Sequence, residues 1–136
     1  MNKFIVTGGS GFIGNNLVDY LINKKLFVIN LDKLTYSSSN LKKISKNKNN
    51  YKFIKVDIAN KKKLIKIIRK YKPKAIFNLA AETHVDRSID EPGKFIHSNI
   101  IGTFNLLESL RYLQKNNNKT KLIHISTDEV YGDIKK

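Results

Sequence analysis

Short apolar runs alternate with amphipathic stretches along the whole chain, and this alternation limits the possible folds more than any other feature. Lys3–Gly8 (KFIVTG) is short, β-branched and closed by glycine, as a buried strand is. From Phe12 to about Asn23 the apolar residues Ile13, Leu17, Leu21 and Ile22 fall at helical spacing. Leu26–Asp32 predicts a second strand, Tyr51–Ile58 a third, Lys74–Ala80 a fourth and Thr120–Ser126 a fifth. Lys61–Tyr71 carries Leu64, Ile65, Ile67 and Ile68, which suits a helix that Pro73 ends. Pro92 is well placed in the first turn of a long helix reaching about Gln114. The polar stretch KLTYSSSNLKKISKNKNN predicts a loop with one helical turn at Leu41–Ser45. This succession predicts an α/β fold: a doubly wound parallel sheet of Rossmann type, strand order 3-2-1-4-5, with crossover helices.

The 136 residues fit one domain. There is no cysteine, which excludes disulfides and thiolate metal sites, and no metal is expected. The apolar runs are too short to span a bilayer. The opening MNKFIVTGGSGFIG leads straight into glycines and predicts a strand, not a signal peptide, so a cytoplasmic location and no membrane partner are expected. A net charge of +15 raises nucleic-acid binding. Against it, the only arginines are Arg69, Arg87 and Arg111, and the lysines accompany many Asn and Ile residues. No aromatic-plus-arginine platform is present, so no nucleic-acid partner is expected. The lysines can still steer a phosphorylated substrate by long-range attraction. Lys61–Lys63 opens a helix, where positive charge opposes the dipole, and predicts only a solvated face.

TGGSGFIG follows the first strand and opens the first helix. Gly9, Gly11 and Gly14 match G-x-G-x-x-G, and Gly8, Gly11 and Gly14 match G-x-x-G-x-x-G. Glycines allow a tight turn and a close approach of pyrophosphate to the backbone, and the helix N-terminus supplies N–H groups and partial positive charge. Asp32 ends the second strand roughly 18 residues past Gly14, close to the spacing of about 20 that such sites show. A carboxylate there accepts from ribose hydroxyls and repels a 2′-phosphate, which favours NAD over NADP; Lys33 beside it tempers that preference. Asp57 and Ile58 end the third strand, where Asp57 either holds an adenine edge or caps the following helix. Ala80 and Ala81 are small where a dinucleotide must cross the sheet edge, and Glu82, Thr83 and His84 follow at the ligand-binding end of the sheet. His84 is a candidate acid–base group, although a solvent-facing or capping role is the commoner outcome.

Taken in order, VTGGSGFIG, LDKLTYSSSNL, VDI, NLAAETHVDRSI, NIIGTFNLLE and HISTDEVYGD resemble the extended short-chain dehydrogenase/reductase family of nucleotide-sugar enzymes, above all its 4,6-dehydratases that act on dTDP-glucose. The resemblance implies that Phe12 and Ile13 meet the NAD pyrophosphate through backbone N–H groups. It implies that Asp32, Lys33, Leu34 and Thr35 surround the adenosine ribose and that Asp57 and Ile58 hold the adenine. Leu79, Ala80, Ala81 and Thr83 would line the nicotinamide side, with Thr83 also reaching the sugar, and Ser98 would reach the cofactor. Thr127 would bind the hexose, and Asp128 and Glu129 would be the acid and base of an elimination. Two adjacent carboxyls holding different protonation states call for nearby negative charge and partial burial. Sugar epimerases of the family usually carry Ser, Thr or Ala after the fifth strand, so Thr127-Asp128-Glu129 speaks for a dehydratase. Another nucleotide-sugar dehydratase or epimerase, and a non-catalytic NAD-binding module, are the alternatives.

The family's oxidation base is a tyrosine with a lysine four residues on, lying beyond the STDEVYGD motif. Tyr131 and Lys135 have that spacing, but Tyr131 belongs to the strand-end motif itself. The expectation is therefore an incomplete NAD-binding domain over residues 1–136, truncated before the later strands and the substrate domain. Such a fragment is expected to show poor solubility, weak NAD binding and no turnover. It would leave the fifth strand as an edge and apolar helix faces exposed. The full-length chain is expected to act on a nucleotide sugar as a homodimer.

Overall fold

The computed structural model describes residues 2–35, 38, 49–115 and 119–133, with the side chain of Val85 left aside. The helical turn expected at Leu41–Ser45 lies outside the described residues. Five parallel strands form one sheet: β1 (Lys3–Thr7), β2 (Phe27–Asp32), β3 (Tyr51–Lys55), β4 (Ala75–Asn78) and β5 (Lys121–His124), in the order β3-β2-β1-β4-β5. This is the doubly wound order that the alternation predicts. Helices α1 (Phe12–Asn23) and α2 (Lys61–Tyr71) have the predicted bounds.

Residues alternate between the faces of a strand, so the inner strands bury both. Val6 and Val28 meet Val18, Leu21 and Ile22 of α1 on one side. Ile5, Ile29, Leu31 and Ile76 meet Leu64 and Ile68 of α2 on the other. Burial on both faces is why these strands read as unbroken apolar runs and not as alternating ones.

The third and fourth strands are shorter than the apolar runs suggest, because the chain leaves the ladder where the sheet opens. A last rung persists in each case: Val56 N–H donates to the Asp32 carbonyl at 3.0 Å and Leu79 N–H to the Thr7 carbonyl at 3.1 Å. Asn60, and not Asp57, caps α2, its side chain accepting from Lys63 N–H at 3.1 Å. Asp57 is one turn too early for that role and instead accepts from Ala59 N–H at 2.8 Å.

The long helix expected from Pro92 is helical throughout, but it changes pitch. A short helix α3 (Val85–Asp90), with no counterpart in the sequence reading, precedes α4 (Pro92–Phe95). Then Ile96–Gly102 forms a widened π-helical segment before α5 (Thr103–Gln114). Such widening often accompanies function. Here it buries Ser98 and brings Gly102 so close to Ile58 that a Cβ would meet Ile58 Cδ1 at 2.5 Å. Beyond it, Leu106, Leu110 and Leu113 of α5 enter the core beside α2. The opposite row, Ile100, Phe104 and Leu107, is exposed, and β5 is a sheet edge.

The pitch change makes a sharp test of this register. Leu106→Ala should destabilise the chain by about 2–5 kcal/mol in urea unfolding, whereas Leu107→Ala should change it by less than about 0.5 kcal/mol. Equal effects would mean that α5 does not turn as described.

Candidate functional site

The strand order reverses between β1 and β4, so their C-terminal ends diverge and leave a crevice. The glycine turn forms its floor. Gly8 adopts φ +68°, in the left-handed region, and lies against Leu79, whose carbonyl would stand 2.7 Å from any Cβ. Gly8 N–H donates to the Leu31 carbonyl at 2.8 Å, and Gly11 N–H donates back to the Gly8 carbonyl at 3.1 Å. Gly14 packs on the Gly8 carbonyl in the space a side chain would need. The N-terminus of α1 has no side-chain cap and no acidic residue in its first turn. Its first N–H groups, at Phe12 and Ile13, are thus left to an external acceptor.

Asp32 forms one wall. Its Oδ2 accepts from Ser10 N–H at 3.0 Å, and its Oδ1 accepts from Leu34 N–H at 2.8 Å and from the Ser38 hydroxyl at 3.3 Å. The carboxylate therefore ties the glycine turn to the chain that leaves β2. Leu34 pays for this geometry with φ +60°, a conformation uncommon outside glycine. Behind the turn, the Asn30 amide donates to Ser10 Oγ at 3.3 Å and to the Tyr51 hydroxyl at 3.2 Å. Burial raises the Tyr51 phenol above its ordinary value, partly offset by the Asn30 bond.

The structure gathers most of the expected cofactor residues here. Gly8, Gly11, Asp32, Lys33, Thr35, Asp57, Ile58, Leu79, Ala80, Ala81 and Ser98 all line the crevice. Phe12 and Ile13 stand at the start of α1 with exposed side chains. Thr83 is exposed past the lining, and His84 occupies the N-cap position of α3 without a side-chain capping bond. Asp57 Oδ2 lies 3.3 Å from His97 Nε2.

Thr7, Asn78, His124 and Asn99 had no sequence signal strong enough to single them out. Thr7 Oγ1 donates to Asn78 Oδ1 at 2.5 Å, and the Asn78 amide lies 3.0 Å from His124 Nδ1, so a polar link crosses β1, β4 and β5 beneath the crevice. Asn99 clasps the Glu82 backbone, accepting from its N–H at 2.9 Å and donating to its carbonyl at 3.0 Å. Lys33 Nζ reaches across to Glu82 Oε1 at 3.1 Å and Ser98 Oγ at 2.7 Å. The hint was Ser98-Asn99 interrupting an apolar helical pattern four residues before Gly102 or closer.

Thr127, Asp128 and Glu129 follow β5, with Asp128–Tyr131 in a 3₁₀ turn. All three are exposed, so the partial burial expected for an acid–base pair is not supplied by the described residues. A hydrogen bond from the Thr127 side chain, joined by Glu129's own backbone N–H and by Asp128, holds the Glu129 carboxyl below its ordinary range. Among the described residues no group of three or more side chains is arranged to hold a metal ion. None of the described helices is long and apolar enough to cross a membrane.

The comparisons agree with this arrangement. The profile of the family described as GDP-mannose 4,6 dehydratase matches residues 5–136. The chain is 47% identical to a dTDP-glucose 4,6-dehydratase of Neisseria meningitidis serogroup B, over 98% of this chain and 40% of that protein. It superimposes on a dTDP-glucose 4,6-dehydratase of Bacillus anthracis solved in complex with NAD, with TM-score 0.78 and 39% identity, covering 100% of this chain and 41% of the other. It also matches a UDP-glucose 4-epimerase of Thermotoga maritima solved with UDP-glucose, with TM-score 0.79 and 34% identity, covering 98% and 41%. The chain thus spans about 40% of the length of the curated relatives it matches.

The Thr127–Glu129 contact has a direct readout. A depressed folded-state value means the contact operates above the ordinary glutamate value of about 4.3 and is lost as pH falls through the lower folded one. In a carbon-detected NMR titration, Glu129 should show a midpoint below that of a free glutamate, and Thr127→Val should move it upward. An unmoved midpoint would remove Thr127 as the cause.

Proposed function

Because this chain belongs to the GDP-mannose 4,6 dehydratase family, we propose that it supplies the NAD-binding portion and the elimination carboxylates of a nucleotide-sugar 4,6-dehydratase, with dTDP-glucose as the substrate. The observation that carries this reading is the switch-point crevice, bounded by an uncapped helix N-terminus on one side and a ribose-type carboxylate, Asp32, on the other. The Thr-Asp-Glu sequence follows the adjacent strand at the same end of the sheet.

In this reading Gly8, Gly11 and Gly14 let the pyrophosphate approach the turn, and the N–H groups of Phe12 and Ile13 receive it. Asp32, Lys33, Leu34 and Thr35 surround the adenosine ribose, whose hydroxyls Asp32 holds, and Asp57 and Ile58 hold the adenine. Leu79, Ala80, Ala81, Thr83 and Ser98 line the remainder. NAD, when bound, would supply the hydride acceptor for C4 of the hexose and the donor for C6, the C4 hydroxyl proton passing to a base outside residues 1–136. Thr127 holds the hexose. Glu129, ionised at neutral pH, takes the C5 proton made acidic by a C4 ketone and returns a proton to C5 as the hydride reaches C6. Asp128 donates a proton to the C6 hydroxyl, which leaves as water. The products are water and a 4-keto-6-deoxy sugar nucleotide, a precursor for deoxysugar synthesis.

A homodimeric, cytoplasmic enzyme without a nucleic-acid partner, its substrate domain outside residues 1–136, belongs to the same proposal. The exposed row Ile100, Phe104 and Leu107 supports the dimer. The likeness to a UDP-glucose 4-epimerase favours a second reading, in which the C4 centre is inverted and no water is lost. The Thr127-Asp128-Glu129 sequence weighs against it.

The test uses protein of the relatives' length. Glu129→Gln should abolish deuterium entry at C5 from D₂O, and Asp128→Asn should slow loss of the C6 oxygen, each by about 10²–10⁴-fold. Both should keep NAD affinity in calorimetry. Inversion at C4 without water loss would select the epimerase reading.

A further inference from the structure

The crevice contains a cation whose position the reaction does not explain. Lys33 follows Asp32 directly, at the wall assigned to the ribose. A lysine beside that carboxylate is suited to a 2′-phosphate, which carries about −1.5 to −2 charges near neutral pH and pairs strongly with ammonium groups. Such a neighbour should erode the preference for NAD that Asp32 imposes.

The structure turns the ammonium away. Leu34, in its left-handed conformation, gives its N–H to Asp32 and sends the chain out of β2 in a sharp bend. Lys33 Nζ crosses the crevice to Glu82 Oε1 at 3.1 Å and Ser98 Oγ at 2.7 Å. The Glu82 side chain is only 9% exposed, while Lys33 is 32% exposed. A pair with one partner so far withdrawn from water is screened less than a surface pair. Glu82 is itself held by Asn99, which grips its backbone N–H and carbonyl from the π-helical segment. Ser98 and Asn99 are consecutive, so the widened turn fixes the acceptor hydroxyl and the clamp together.

From this geometry, and on the reading that the crevice binds a dinucleotide, we infer that Glu82 is a specificity-determining positioning residue: by holding Lys33 against Ser98 it denies the ammonium to a 2′-phosphate and keeps the site selective for NAD over NADP. Asp32, Lys33 and Glu82 together carry one net negative charge. Removing Glu82's charge leaves none, and it frees a cation within reach of the ribose wall. The role is separate from hydride transfer, because Glu82 acts through Lys33.

Calorimetric titration of protein of the relatives' length with NAD and with NADP tests it without any turnover. That protein, otherwise unaltered, should bind NAD and prefer it to NADP. Glu82→Gln keeps the shape of the side chain and the Asn99 clamp on the backbone; it should lower the NAD-to-NADP affinity ratio about tenfold or more, chiefly by improving NADP. Adding Lys33→Met to Glu82→Gln should return the ratio to its original side. Lys33→Met alone should give no gain in NADP binding. NAD binding by the unaltered protein with an unmoved ratio in Glu82→Gln, or a gain that survives Lys33→Met, would overturn this inference and leave the proposed function standing. Protein of the relatives' length that binds neither nucleotide would overturn the dinucleotide reading, and this inference with it.

Discussion

The contact between Gly14 and the Gly8 carbonyl is the constraint from which the rest of the site follows. The helix can begin where it does only because no side chain intervenes between its first turn and the glycine turn. That contact sets α1 against β1 and points its uncapped N-terminus into the crevice between β1 and β4. Gly8, folded left-handed under Leu79, closes the same packing from the other strand. A methyl group at either position would force the turn, the helix or the fourth strand to move, and each carries part of the site.

Asp32 extends this order outward. Its two oxygens hold the Ser10 and Leu34 amides, so one carboxylate joins the glycine turn to the chain leaving β2. The strained Leu34 backbone is offset by that hydrogen bond, and it turns Lys33 toward the far wall. The far wall is made by a different device, a widened helix that supplies Ser98 and Asn99 side by side. The crevice is thus braced from both sides. The carboxylate end is built more lightly: Asp128 and Glu129 sit exposed on a 3₁₀ turn after the edge strand, and a threonine hydroxyl is the main influence on Glu129.

Local chemistry accounts for which elements were legible. The bounds of α1 and α2 follow from apolar spacing, the glycines before one and Pro73 after the other. The strands were legible as apolar runs because they are buried on both faces, but their ends were not. Those ends depend on where neighbouring strands separate, and no residue in KVDI or NLAAE marks that point. Asp57 illustrates the limit: it is a good capping residue, yet the cap falls on Asn60, because Asp57 already accepts from Ala59 N–H in the turn after β3. The break in the Pro92–Gln114 helix was equally hidden. Apolar spacing does not mark a π-helical segment, and here the segment ends at Gly102, which packs closely on Ile58.

By itself the sequence determined the fold class, the strand order, the glycine turn and the carboxylate after the second strand, because these rest on periodicity and on residues that tolerate few alternatives. Family membership, too, was legible in ordered motifs spread across the chain. Only the tertiary structure decided how those motifs meet. It brought Glu82, Ser98 and Lys33 together from three separate segments, and it showed the Thr-Asp-Glu carboxylates exposed where partial burial was expected. The physical reason is that hydrogen bonds and ion pairs across a crevice depend on the separation and pitch of whole elements. Those quantities are set by core packing, which the identity of any single residue does not encode.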